Sequence, residues 1–98
     1  MIIVLGGIVA RPESIDEALR VSLEHVHRSR LEPGCLLHSV HRDVEDPLHL
    51  VFVEHWADRA ALDAHFVVPA SRAFVKALRG LASSATAMAI YEAERVPF

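Results

Sequence analysis

The chain predicts an α+β fold in which one antiparallel sheet carries helices on a single face. Three observations predict it. The elements read strand, helix, strand, strand, helix, strand. The middle two strands alternate their side chains on either side of a polar connection. No repeat, low-complexity segment or linker divides the 98 residues, so 1–98 reads as a single domain.

Ile2–Ala10 is apolar throughout and rich in β-branched residues, as a strand covered on both faces is. Gly6 and Gly7 inside it mark a kink, a bulge or a close approach of another group. Arg11-Pro12 ends the strand. Ser14-Ile15-Asp16-Glu17 has the capping-box pattern and predicts a helix to about Leu31. Its buried stripe is Ile15, Ala18, Leu19, Ser22, Leu23 and Val26, with Glu24, His27, Arg28 and Arg30 in solvent. Glu32-Pro33-Gly34 turns the chain, and Cys35–Arg42 and Leu48–Trp56 form a hairpin across Asp43–Pro47. Closure symmetric about Glu45 sets His41 opposite His49 and His38 opposite Phe52. Alternation places Leu36, His38, Val40, Leu50, Phe52, Glu54 and Trp56 on one face, and Cys35, Leu37, Ser39, His41, His49, Val51, Val53 and His55 on the other.

Asp58 is placed to cap the next helix, in which Leu62, His65 and Phe66 fall at i, i+3 and i+4 and so aim His65 inward. Pro69 restarts a helix at its first position, and Ala70, Phe74, Ala77, Leu78 and Leu81 continue the apolar stripe to an end near Gly80. Thr86–Arg95 supplies the last strand. This order is that of the split βαβ, or ferredoxin-like, arrangement.

Composition narrows the partners. A domain this small buries only about 60–65% of its unfolded surface. With 52% hydrophobic residues and a mean hydropathy of +0.28, part of the apolar surface is expected to meet a second copy, giving a homodimer through the uncovered sheet face. A net charge of −3 with ten scattered Lys and Arg residues argues against nucleic acid. Cys35 is the single cysteine, which precludes an intrachain disulfide and suits a reducing cytoplasm. Ile2–Ala10 lacks a basic flank and falls far short of the roughly 20 residues of a membrane helix, so no membrane is implied.

The run Glu32-Pro33-Gly34-Cys35-Leu36, then Arg42-Asp43, Asp46-Pro47, Glu54-His55-Trp56, Asp58, Ala61-Leu62, His65, Pro69 and Phe74 closely resembles the antibiotic biosynthesis monooxygenase domain family in order and spacing. The resemblance implies a ferredoxin-like subunit, paired through its sheet as a dimeric α/β barrel, with a pocket between sheet and helices. It implies oxygenation of a small aromatic quinol, polyphenol or polyketide by O2 with no cofactor, or else a non-catalytic ligand-binding or structural module. Trp56 stands where the polyketide oxygenases of the family place a pocket tryptophan, and Lys76 near their pocket arginine. Phe52 and Leu62 replace two of their polar pocket residues. His65 and Pro69 match the quinol type, whereas Val75 stands where the haem-degrading relatives place their axial histidine.

Cofactor-free oxygenation requires the substrate to supply the electrons, which a phenol or quinol does as its anion, so the protein must remove a proton. A histidine in a dry apolar pocket suits that task. His38 and His65 are the candidate bases. Trp56, Phe52, Phe66 and Phe74 are the candidate substrate wall, Glu54 the group that orients a histidine, and Lys76 the group that holds a developing anion. Each has a structural alternative, as a hydrogen-bonded core histidine, a packing aromatic or an interface charge. The seven histidines do not predict a metal site by spacing: His25 and His27 face different ways on a helix, and His41 with His49 offers only two ligands.

Overall fold

Alternation along the middle hairpin decides which face of the sheet is covered. The computed structural model describes residues 1–98, with strands β1 (Ile2–Ala10), β2 (Cys35–Arg42), β3 (His49–Trp56) and β4 (Ala82–Glu92), and helices α1 (Ile15–Ser29), α2 (Arg59–Val67) and α3 (Pro69–Leu81). The four strands lie in the order β2-β3-β1-β4 with every neighbouring pair antiparallel. This is the ferredoxin-like arrangement. Along β3 the covered face buries Leu50, Phe52, Glu54 and Trp56, while His49, Val51, Val53 and His55 are half-buried on the open face.

The core divides in two. Ile8, Ala10, Ala18, Val26, Leu50, Phe52 and Leu78 pack together, with Phe74 against them. Ile2, Val4, Trp56 and Leu62 form a second group, bordered by Cys35, Ala61 and Phe66. Glu54 stands on β3 between Phe52 of the first group and Trp56 of the second, so a polar layer separates the two.

The hairpin register differs from the symmetric expectation by two residues. His38 pairs with Glu54 and His41 with Val51, because the loop keeps its own bonds: His49 N–H donates to Asp46 C=O at 2.9 Å and Asp43 N–H to His49 C=O at 3.0 Å. A two-residue slip leaves each side chain on its face and changes only its partner. The register also shifts between Cys35 and Leu37. Cys35 therefore comes opposite Trp56 and joins the second core group, rather than lying on the open face.

Other local expectations change for identifiable reasons. Ser14 does not form the capping box, because Pro12–Ser14 is already a tight turn and Glu17 pairs with Arg20 instead. On α1, Leu23 is exposed while His25 and Ser29 are buried. On α3, Ser71 is buried and Ala77 exposed. β4 starts at Ala82, directly after α3, and ends at Glu92. Ser83-Ser84-Ala85 lacks strand-forming side chains but is recruited by pairing with β1, Ser84 opposite Val9 and Ala85 opposite Ile8. Asp58 does cap α2, accepting from Ala61 N–H at 2.9 Å, and Pro69 does open α3.

Two glycines are required by contact. A Cβ on Gly7 would stand 2.7 Å from Leu50 C=O on β3, so close approach of the neighbouring strand accounts for it. Gly34 has φ +81°, and a Cβ there would stand 2.5 Å from Ala61 Cβ; its C=O accepts from Ala57 N–H at 2.8 Å and ties the α1–β2 turn to the end of β3. Gly34→Ala is expected to cost about 2–3 kcal/mol in a denaturant titration, from the left-handed φ and the collision together. Adding Ala61→Gly should restore only the part due to the collision.

Candidate functional site

A carboxylate on a strand face between two large apolar side chains has to find its partners within the layer. Glu54 is 8% exposed. Its Oε1 accepts from Trp56 Nε1–H at 2.9 Å and lies 3.3 Å from His38 Nε2 and 3.9 Å from His65 Nε2. Burial by itself would raise the carboxyl pKa, but the contacts with His38, Trp56 and His65 outweigh it and hold the group below its ordinary value. The His38 contact is close but poorly directed, and neither ring nitrogen of His38 has a hydrogen-bond partner, although the residue is only 1% exposed.

His65 is held from the other side. Its Nδ1 lies 2.8 Å from Glu32 Oε1, and an ionised carboxylate only accepts, so Nδ1 carries the proton and Nε2 is turned towards Glu54. Glu32 comes from the turn after α1, whose sequence signals only a turn. His25 on α1 completes the group. Its ring stacks on Phe74 at 3.9 Å and 6°, and its centroid lies 5.2 Å from His38 and 5.4 Å from His65. Arg28 donates to its Nδ1 at 2.7 Å. Burial first, then the facing His38, His65 and Arg28, push the His25 pKa down to about 3, so the ring is neutral at neutral pH.

The structure thus brings together His38, His65, Glu54 and Trp56, and sets Phe66 beside His65 and Phe52 edge-on to Phe74. It does not bring Lys76 to them, since that side chain is exposed on α3. His25 and Glu32 are members that sequence reasoning missed. A signal for His25 was present: Ala18, Ser22, His25 and Ser29, spaced four, three and four apart, form the face of α1 that is buried. A hollow of about 330 Å³ opens at β2, lined by Arg30, Cys35, Leu36, Leu37, His38 and Ser39. Chemically, the cluster can hold or move a proton between imidazoles and carboxylates away from bulk water.

The family model for Antibiotic biosynthesis monooxygenase matches residues 1–77. The chain belongs to this family. Among solved structures, the antibiotic biosynthesis monooxygenase fold recurs in a candidate member of the family from Deinococcus radiodurans, with TM-score 0.94 and 27% identity over 100% of this chain and 97% of that one. A further structure named as an antibiotic biosynthesis monooxygenase is 33% identical with TM-score 0.84, covering 99% and 100% of the two chains. An uncharacterized protein of Synechocystis sp. is 34% identical over 91 residues, 93% of this chain. The chain spans 62% of that relative's length. No helix of this family member is long and apolar enough to cross a membrane.

The depressed pKa of His25 sets a pH dependence. The unfolded chain takes up the proton near pH 6.5 and the folded chain only near pH 3, so stability is full above pH 6.5 and falls as the pH drops through that window. The expected loss is about 1–2 kcal/mol at pH 5, read as a falling urea midpoint, and His25→Phe should flatten the slope. Glu54, whose pKa is lowered, adds a further loss below its ordinary value.

Proposed function

We propose that this protein oxidises a small aromatic quinol or polyphenol with O2 and no cofactor, using the histidine–glutamate cluster to remove the substrate's proton. The observation that carries the reading is His38: buried, with both ring nitrogens unpartnered, and beside a carboxylate held below its ordinary pKa. A phenol proton moves to His38, and Glu54 stabilises the imidazolium that forms. His65, held by Glu32, presents its Nε2 to the same carboxylate and is the second base candidate. The substrate anion then reacts with O2: a ring C–H and the phenolic C–OH both become C=O, giving a quinone, and the second oxygen atom leaves as water with the two hydrogens, so the substrate supplies all four electrons. Trp56, Phe52, Phe66 and Phe74 serve as the aromatic wall. Lys76, being exposed, has no role in this reading.

The open sheet face supports the expected homodimer. Ile3, Leu5, Val9, Leu37, Val51, Val53 and Tyr91 face away from the helices, with Leu5 40% and Tyr91 52% exposed. A second copy of the sheet would cover them.

A specific observation favours the second reading, a non-catalytic dimeric module. Trp56 is fully buried and Phe74 lies flat on His25, so part of the space between sheet and helices is already filled.

Oxygen uptake by metal-stripped protein with chelator present, over a panel of quinols and polyphenols, separates the two. The oxygenase reading expects uptake above the spontaneous rate, reduced at least about tenfold in folded His38→Ala or His65→Ala. Uptake at the spontaneous rate from a folded protein overturns it in favour of the module. For the dimer, Val53→Glu beside Leu5 is expected to give monomers in analytical ultracentrifugation, and a wild-type monomer at micromolar concentration would refute the sheet interface.

A further inference from the structure

The three buried histidines have a second chemical capacity, which does not depend on the oxygenase reading. His25, His38 and His65 come from α1, β2 and α2, are 5%, 1% and 4% exposed, and have ligand-capable atoms all within 4.8 Å of one another. Buried imidazoles ordinarily have their nitrogens hydrogen-bonded. In His38 both are unpartnered. Neither Glu54 nor Glu32, whose Oε2 is also buried and unpartnered, is paired with a Lys or Arg side chain. A pocket with converging imidazole nitrogens and carboxylates not paired with Lys or Arg has the composition of a cation site.

We propose that His25, His38 and His65, with Glu54 as fourth ligand, bind one divalent transition-metal ion of the zinc, cobalt, nickel or copper type. The geometry is close to what such an ion needs. Tetrahedral ligands at about 2.0–2.1 Å lie about 3.3–3.4 Å apart, and Glu54 Oε1 is 3.3 Å from His38 Nε2 and 3.9 Å from His65 Nε2. With the nitrogens no more than 4.8 Å apart, some point lies within about 2.8 Å of all three, so each ring closes by less than about 1 Å to reach bonding distance. Imidazole nitrogen with one carboxylate suits these borderline ions better than Mg2+ or Ca2+, which take oxygen. Glu32 already makes the outer contact such sites use, holding His65 Nδ1–H so that Nε2 is left to bind.

One neighbour opposes binding. Arg28 donates to His25 Nδ1, which keeps the ring proton on Nε2, so Arg28 must withdraw before His25 can bind through either nitrogen. Arg28 is half-buried, its Nε has no hydrogen-bond partner, and the bond to His25 is the one side-chain hydrogen bond that holds it there. The ion and the substrate proton compete for the same nitrogens, so a bound metal would suppress the proposed base.

The test is titration of the untagged, metal-free chain with Co2+, read by the intense visible bands of tetrahedral cobalt, and with Zn2+ by calorimetry. The expected result is one ion per chain. Affinity should fall at least about tenfold in His38→Ala and in His25→Phe, the latter keeping an aromatic ring on Phe74, with circular dichroism reporting the fold. Should His38→Ala not fold, His25→Phe decides alone. Arg28→Met should bind more tightly than wild type, an outcome that surface histidine binding would not produce. His41→Ala with His49→Ala should leave binding unchanged. Absence of cobalt bands, bands that persist in folded His25→Phe, or loss of binding in the His41/His49 variant overturns the site. Binding is read without substrate, so it fails or succeeds separately from oxygen uptake.

Discussion

The interaction on which the covered face depends is the buried carboxylate of Glu54. An ion removed from water in so thin a domain costs several kcal/mol unless it is compensated, and no Lys or Arg reaches it. The hydrogen bond that compensates it comes from Trp56 Nε1–H, donated along the same strand, while His38 and His65 on neighbouring elements turn ring nitrogens to the same oxygen. Because these partners come from β2, β3 and α2, the carboxylate links three elements. Phe52 and Trp56 on either side of it keep the two apolar groups dry.

Close packing above this layer follows from small side chains. Ala18, Ser22 and Ser29 on the buried face of α1 let the helix approach the sheet, and Ser29 Oγ–H turns back to His25 C=O at 2.7 Å, so its polarity is satisfied locally. His25 then lies within reach of His38 and His65. The turn through Gly34 has a parallel role: it sets Glu32 under His65 and passes so near Ala61 that a side chain does not fit. Local backbone constraints are thereby converted into the placement of proton-bearing groups. The family fold determines where such a layer stands; the residues in the layer determine its chemistry, since one fold serves many activities.

Much of the fold was legible in the sequence because it rests on short-range rules. Period-two alternation identified the face of β3 that is buried, and the spacing of Leu62, His65 and Phe66 aimed His65 inward. Proline and aspartate marked the starts of α3 and α2. Cys35 was misplaced because the irregularity after it depends on the partner strand, and β4 was begun late because pairing with β1 overrides the weak propensity of Ser83-Ser84-Ala85. His38, His65, Glu54 and Trp56 were legible as inward-facing groups, and Lys76, placed by resemblance alone, is exposed.

The sequence by itself determined the order of elements, the buried face of the hairpin and the presence of histidines on that face, because each follows from periodicity within one element. Only the tertiary structure decided which of these groups meet. The pairing of His38 with Glu54 depends on a loop register, the clamp on His65 comes from a glutamate 33 residues away in the chain, and His25 joins them through the packing of α1 on the sheet. Distances between side chains on different elements are set by register and packing, and a one-dimensional pattern carries neither.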